Sequence, residues 1–143
     1  MFSSGVGRII DANINRLKEG LRVCEEICRF ILISRGLTAD IKKIRHKVDA
    51  LFRELLPSLK FIQERDALKD IGKNIYINEL KRKDSRDIFF ANIQRAKEST
   101  RVLEEFSKLL RKETAIKFKD IRYVLYEIEQ RAAKKLSTLR NNR

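Results

Sequence analysis

Apolar residues recur along this chain at helical spacing. Ile10, Ile14, Leu17, Leu21, Cys24, Cys28 and Ile31 form an unbroken stripe, which predicts a first helix from about Val6 to Ile33. Gly36 offers a stop and Thr38 an N-cap. A second helix then runs from about Ala39 to Leu56, with Ile41, Ile44, Val48, Leu51, Phe52 and Leu55 on its apolar face, and Pro57 ends it. The pattern lapses from Ser58 to Lys83. A short helix over SLKFIQER fits there, followed by an ordered loop with a faint strand signal from Asn74 to Ile77. Connections of that length are uncommon in compact domains and are often functional. Asp84 is the expected N-cap of a third helix reaching about Lys112, and Thr114 that of a fourth from about Ala115 to Leu136. The tail LRNNR is expected to fray.

The first and third helices repeat one another. Ile9 to Ile31 aligns with Ile88 to Leu110, with 11 of 23 positions identical. Seven of the identities are polar: Asn13/Asn92, Arg16/Arg95, Lys18/Lys97, Glu19/Glu98, Arg22/Arg101, Glu25/Glu104 and Glu26/Glu105. Several apolar positions differ, such as Leu17/Ala96 and Leu21/Thr100. A repeat retained for packing alone would do the opposite. The second and fourth helices echo each other through Ile44-Arg45-His46 and Ile121-Arg122-Tyr123. The expected fold is all-α: a pseudo-twofold four-helix bundle built from two helical hairpins. The halves are about 6–56 and 84–136, joined by the ordered connection 57–83 in a single domain.

Length and composition fit this picture. The 143 residues suffice for a core, with one proline and five glycines. No apolar run is long enough to span a membrane, and the N-terminus lacks signal-peptide features, so a cytoplasmic protein is expected. The net charge of +13 favours anionic partners, but 20 acids are interleaved with the bases. Cys24 and Cys28, both on the apolar stripe, are expected to be buried free thiols.

Ala12, Arg16, Glu19, Val23 and Glu26 share one stripe opposite the apolar seam, and Ala91, Arg95, Glu98, Val102 and Glu105 form its twin. Three readings stand open. The stripes are a ligand site, a solvated face laced by i,i+3 and i,i+4 pairs, or an ion-pair interface between halves or subunits. Gly20 lies mid-helix, where glycine costs about 1 kcal/mol, and so has a packing or ligand reason. In the connection, Asp66 and Asp70 stand four apart beside Gly72; they are either Mg²⁺ ligands or parts of a capped turn. His46 is the single histidine, more in keeping with a packed or hydrogen-bonded residue than a catalyst.

Taken in order, DANxxRxxEGLRVxEExxRF, IRH, RDxxxDIG, ANxxRxxESxRVLEEFxKL and IRYxLYxxE resemble one family over roughly Arg8 to Glu129. It is the domain found in front of thiamine-phosphate synthase in some bacteria and also as a free-standing protein. The resemblance implies hydroxymethylpyrimidine phosphate kinase activity: transfer of the γ-phosphoryl of ATP, with Mg²⁺, to 4-amino-5-hydroxymethyl-2-methylpyrimidine phosphate. On that footing the expected catalytic residues are Asp66, Asp70, Arg95 and Glu98, with Asp66 and Asp70 on the metal. The expected substrate and phosphate contacts are Asn13, Arg16, Glu19, Arg22, Arg45, His46, Arg65, Gly72, Asn92, Arg101 and Arg122. Glu26 and Glu105 join Glu19 and Glu98 as groups that orient arginines or accept a proton. Ser99-Thr100 and Cys24 depart modestly from the family pattern. The alternative is a non-catalytic binding or scaffold domain serving a separate thiamine-phosphate synthase through its charged stripe. A homodimer is compatible with either. Nucleic-acid binding is the weakest fit, because bases are not concentrated on one helix face and aromatics are few.

Overall fold

Helices form where the apolar spacing runs on without proline. The computed structural model describes residues 4–59 and 80–141. Among them are four long helices and no strand: α1 (Ser4–Phe30), α2 (Arg35–Leu55), α3 (Ser85–Ser107) and α4 (Lys112–Asn141). Pro57 sits in a single 3-10 turn, Leu56–Ser58, that ends α2. The expected short helix, loop and strand signal fall largely on 60–79, outside the described residues.

Boundaries differ from expectation for identifiable reasons. The α1–α2 corner closes before Gly36: the Ser34 N–H bonds Cys28 O at 2.9 Å and the Leu32 N–H bonds Ile27 O at 3.0 Å. The left-handed residue is Ile33, at φ 49°, where glycine is usual. The Ser34 side chain then caps α2 by accepting the Leu37 N–H. Thr38 lies within the helix, its hydroxyl donating to Ser34 O at 2.7 Å. Asp84 caps α3 as expected, accepting the Asp87 N–H at 2.9 Å. Thr114 does not cap α4, which starts earlier; its buried hydroxyl donates to Glu54 Oε2 at 2.8 Å.

α1 packs on α2 and α3, α4 on α3 and α2, and a single core runs through all four. Neighbours are antiparallel. On α1 and α3, Gly20 lies beside Asn92 and Ala96, while Cys24 Sγ lies 3.8 Å from Phe89 O, one turn back along α3. On α2 and α4, Asp40 meets Arg131 at 2.7 Å and Glu54 meets Lys117 at 2.9 Å. The register that aligns Arg45 with Arg122 turns the first of these pairs into the second with charges exchanged. This is the self-complementary contact a twofold generates. Lys117 and Thr114 together hold the Glu54 carboxyl below its usual range. Because both hairpins are antiparallel to each other, α2 ends and α3 begins at opposite ends of the bundle. A short turn therefore cannot join the hairpins.

The Gly20 question resolves as packing. A Cβ there would lie 2.9 Å from the backbone oxygen of Asn92 and 3.7 Å from Ala96 Cβ. α1 thus packs tightly on α3 at this point, with Gly20 facing the Asn92 backbone and Ala96. Most of the predicted α1 seam is buried, from Ile10 to Cys28, whereas Ile31 lies past the helix end and is exposed. Both cysteines are free and buried. Burial pushes the Cys28 thiol up to about 11, aided by the Glu25 charge, and raises Cys24 further, with Cys28 as its second cause.

Candidate functional site

The repeated polar residues separate into two groups. The predicted stripe is the outer one: Arg16, Glu19 and Glu26 on α1, and Arg95, Glu98 and Glu105 on α3, are exposed, with Ala12, Val23, Ala91 and Val102 half-buried at its edge. The stripe is not a buried ion-pair interface between the halves. Its visible pairs are the local kind, such as Arg101–Glu105 at 3.0 Å, Lys108–Glu105 at 2.8 Å and Gln94–Glu98 at 3.1 Å.

The inner group lay in the list of identities but not in the stripe. Glu25 is buried beneath Arg45, whose Nε and Nη2 reach its two oxygens at 2.6 and 3.3 Å, with Arg22 at 3.7 Å. Glu104 is buried in the same way, bound by Arg122 Nε at 3.1 Å and Arg101 Nη1 at 2.8 Å. Each half therefore carries one buried carboxylate between an arginine of its own helix and an arginine of the hairpin partner. The signal was available: two identical glutamates on the repeat helices, and the shared Ile-Arg dipeptide on the others. Lys18 and Lys97 each reach an acid on the other helix of their own hairpin, Asp49 and Glu129, both at 2.8 Å, although these two acids are not equivalent in the repeat.

The structure accordingly brings Arg22 to Arg45 and Arg101 to Arg122, but as clamps on carboxylates. Asn13 and Asn92 spend an amide N–H on their own helix, bonding Ile9 O and Ile88 O at 2.8 Å each. His46 is exposed on α2. Arg65, Asp66, Asp70 and Gly72 lie outside the described residues, and with them the expected Mg²⁺ ligands. Among the described residues no cluster of His, Cys, Asp and Glu could hold a metal ion. A cleft of about 400 Å³ opens beside Glu104 where α3 meets α4. Ala115 and Ile116 line it together with Lys108, Lys112 and Lys119. No described helix is long and apolar enough to cross a membrane.

The model of the ThiD2 family matches residues 8–131, from the second turn of α1 through most of α4. The chain belongs to the ThiD2 family. Similar to this chain is the thiamine-phosphate synthase of Synechocystis, 36% identical over 127 residues, or 88% of this chain and 36% of the relative. The thiamine-phosphate synthase of Nostoc punctiforme is 38% identical over 125 residues, covering 87% and 34%. That of Rhodopirellula baltica is 37% identical over 125 residues, covering 87% and 33%. This ThiD2-family chain thus spans about a third of the length of the relatives it matches. No solved structure matches it.

These names correct the kinase expectation. The relatives are named for thiamine-phosphate synthase and not for a hydroxymethylpyrimidine phosphate kinase, so the alternative of a binding domain acting with that synthase fits them better. Of the four residues expected to catalyse phosphoryl transfer, Arg95 and Glu98 stand exposed on the outer face of α3.

Proposed function

We propose that this chain is a non-catalytic binding domain of thiamine biosynthesis that acts with a separate thiamine-phosphate synthase. The observation that carries the reading is the span of the match. Residues 8–131 are a family unit, and that unit aligns with about a third of chains named for the synthase. The geometry supports it. A domain that serves another protein needs a rigid shape and a distinctive surface. The four-helix core and the two arginine-clamped carboxylates supply the first. The net charge of +13, with many of the described Lys and Arg exposed, supplies long-range attraction to an acidic partner.

The test is titration of the full chain into a purified thiamine-phosphate synthase from the same organism, followed by calorimetry and by synthase turnover. The expected result is a saturable complex that weakens as salt is raised. Absence of any complex at low salt would remove the reading.

A further inference from the structure

α4 presents an outward face that its repeat partner lacks. Lys112, Ile116, Lys119, Tyr123 and Tyr126 follow a 4-3-4-3 step and so share one side of the helix. Ile116 is 62% exposed and Tyr123 56%, with Tyr126 also exposed. The repeat maps these five residues onto Arg35, Ala39, Lys42, His46 and Asp49 of α2. The cations recur in both helices, while the apolar and aromatic members occur in α4 alone. α2 and α4 occupy equivalent places in the bundle, so the fold does not require large apolar groups facing outward there.

This face is ordered in advance. The Tyr123 and Tyr126 rings meet edge-on at 5.9 Å. The Arg122 guanidinium lies 5.2 Å from the centre of the first ring and 5.9 Å from that of the second, and donates to Tyr126 Oη at 3.2 Å. Arg122 is itself fixed on buried Glu104. Side chains already held in place lose little freedom on binding, and Tyr and Arg are the residues most often found at energetic centres of interfaces. The cleft beside Glu104 continues the same face, with Ile116 as an apolar wall and Lys108, Lys112 and Lys119 at its rim.

We infer that this α4 face and the cleft at its end are the docking surface for thiamine-phosphate synthase. They would receive a surface segment that places an apolar side chain in the cleft between carboxylates. The inference rests on the reading of the chain as a synthase-binding domain. The occupant follows from two facts. In the Synechocystis relative the matched stretch is 36% of a longer chain, so the equivalent bundle there has a covalent neighbour. The rim of the cleft carries three lysines, which select carboxylates and disfavour a basic surface such as a second copy of this chain.

Calorimetric titration of the full chain into intact thiamine-phosphate synthase tests this, with exposed side chains substituted so that the bundle is left folded. Ile116→Ser and Tyr123→Ser should each weaken binding about tenfold. Lys119→Glu should weaken it most at low salt. Lys42→Glu and His46→Ser, at the equivalent α2 positions, should stay within about twofold of the parent. If the parent binds and the α4 variants bind as tightly, or the α2 variants lose as much, the docking surface is elsewhere while the binding reading stands. If the parent does not bind at all, the reading itself fails and the surface with it. If the α4 substitutions dissolve a dimer in sedimentation and leave synthase binding intact, the face belongs to a second copy and the inference is overturned.

Discussion

Glu25 and Glu104 differ from the other repeated acids by burial, and burial sets what each is worth. Removing Glu104 would leave Arg122, itself only 15% exposed, without its charge partner. Glu104→Ala is expected to cost about 2–3 kcal/mol, since the loss includes an uncompensated cation. Glu19→Ala, on the solvated stripe, should fall within about 0.5 kcal/mol. Urea denaturation of the two variants measures both. The thiols give a second residue-scale expectation. Cys28 has its pKa raised from an ordinary 9.0 to about 11, because burial disfavours the thiolate. The folded chain then binds its proton more tightly than the unfolded chain. Its contribution to stability is complete below about 9 and is lost as pH rises through about 11. Iodoacetamide at neutral pH should leave both cysteines of the folded protein unmodified and alkylate both in guanidinium, as read by mass spectrometry.

At the scale of elements, the corner between α1 and α2 carries a local strain that the equivalent α3–α4 corner avoids. Ile33 holds a left-handed conformation that costs an L-residue about 1–2 kcal/mol, and its side chain is 75% exposed, so little burial offsets the cost. Ile33→Gly should raise stability by about 1 kcal/mol once glycine's greater unfolded freedom is counted, visible as a higher melting temperature. The α1–α3 crossing predicts the opposite sign. Gly20→Ala gains about 1 kcal/mol of helix propensity but drives a Cβ against the Asn92 backbone oxygen. The backbone cannot rotate away as a side-chain tip would, so net destabilisation of about 1–2 kcal/mol is expected in the same melting assay.

For the whole molecule, the arrangement of the two hairpins decides both stability and topology. Leu17, Leu21, Ile93 and Leu103 are fully buried in the core shared by α1 and α3. A hairpin alone would expose that surface. Residues 1–59 expressed by themselves should therefore show little cooperative unfolding by circular dichroism, and mixing them with 80–143 should restore it. The sequence by itself determined much of this protein. Apolar spacing gave four helices, Asp84 its cap role, and Cys24 and Cys28 their burial, because all of these depend on neighbours within a few turns. The duplication foretold two equivalent hairpins, later seen in the exchange of Asp40–Arg131 for Lys117–Glu54. What it left undecided was which repeated polar residues face inward. Glu25 and Glu26 are adjacent and both repeated, yet one is buried under Arg45 and the other is exposed. The rotation of α1 against α2 made that choice. So did the approach of α3 at Gly20, and the position of Ile33 in place of Gly36 at the corner. Those are contacts between segments distant in sequence, and their energies exist only once the helices have packed.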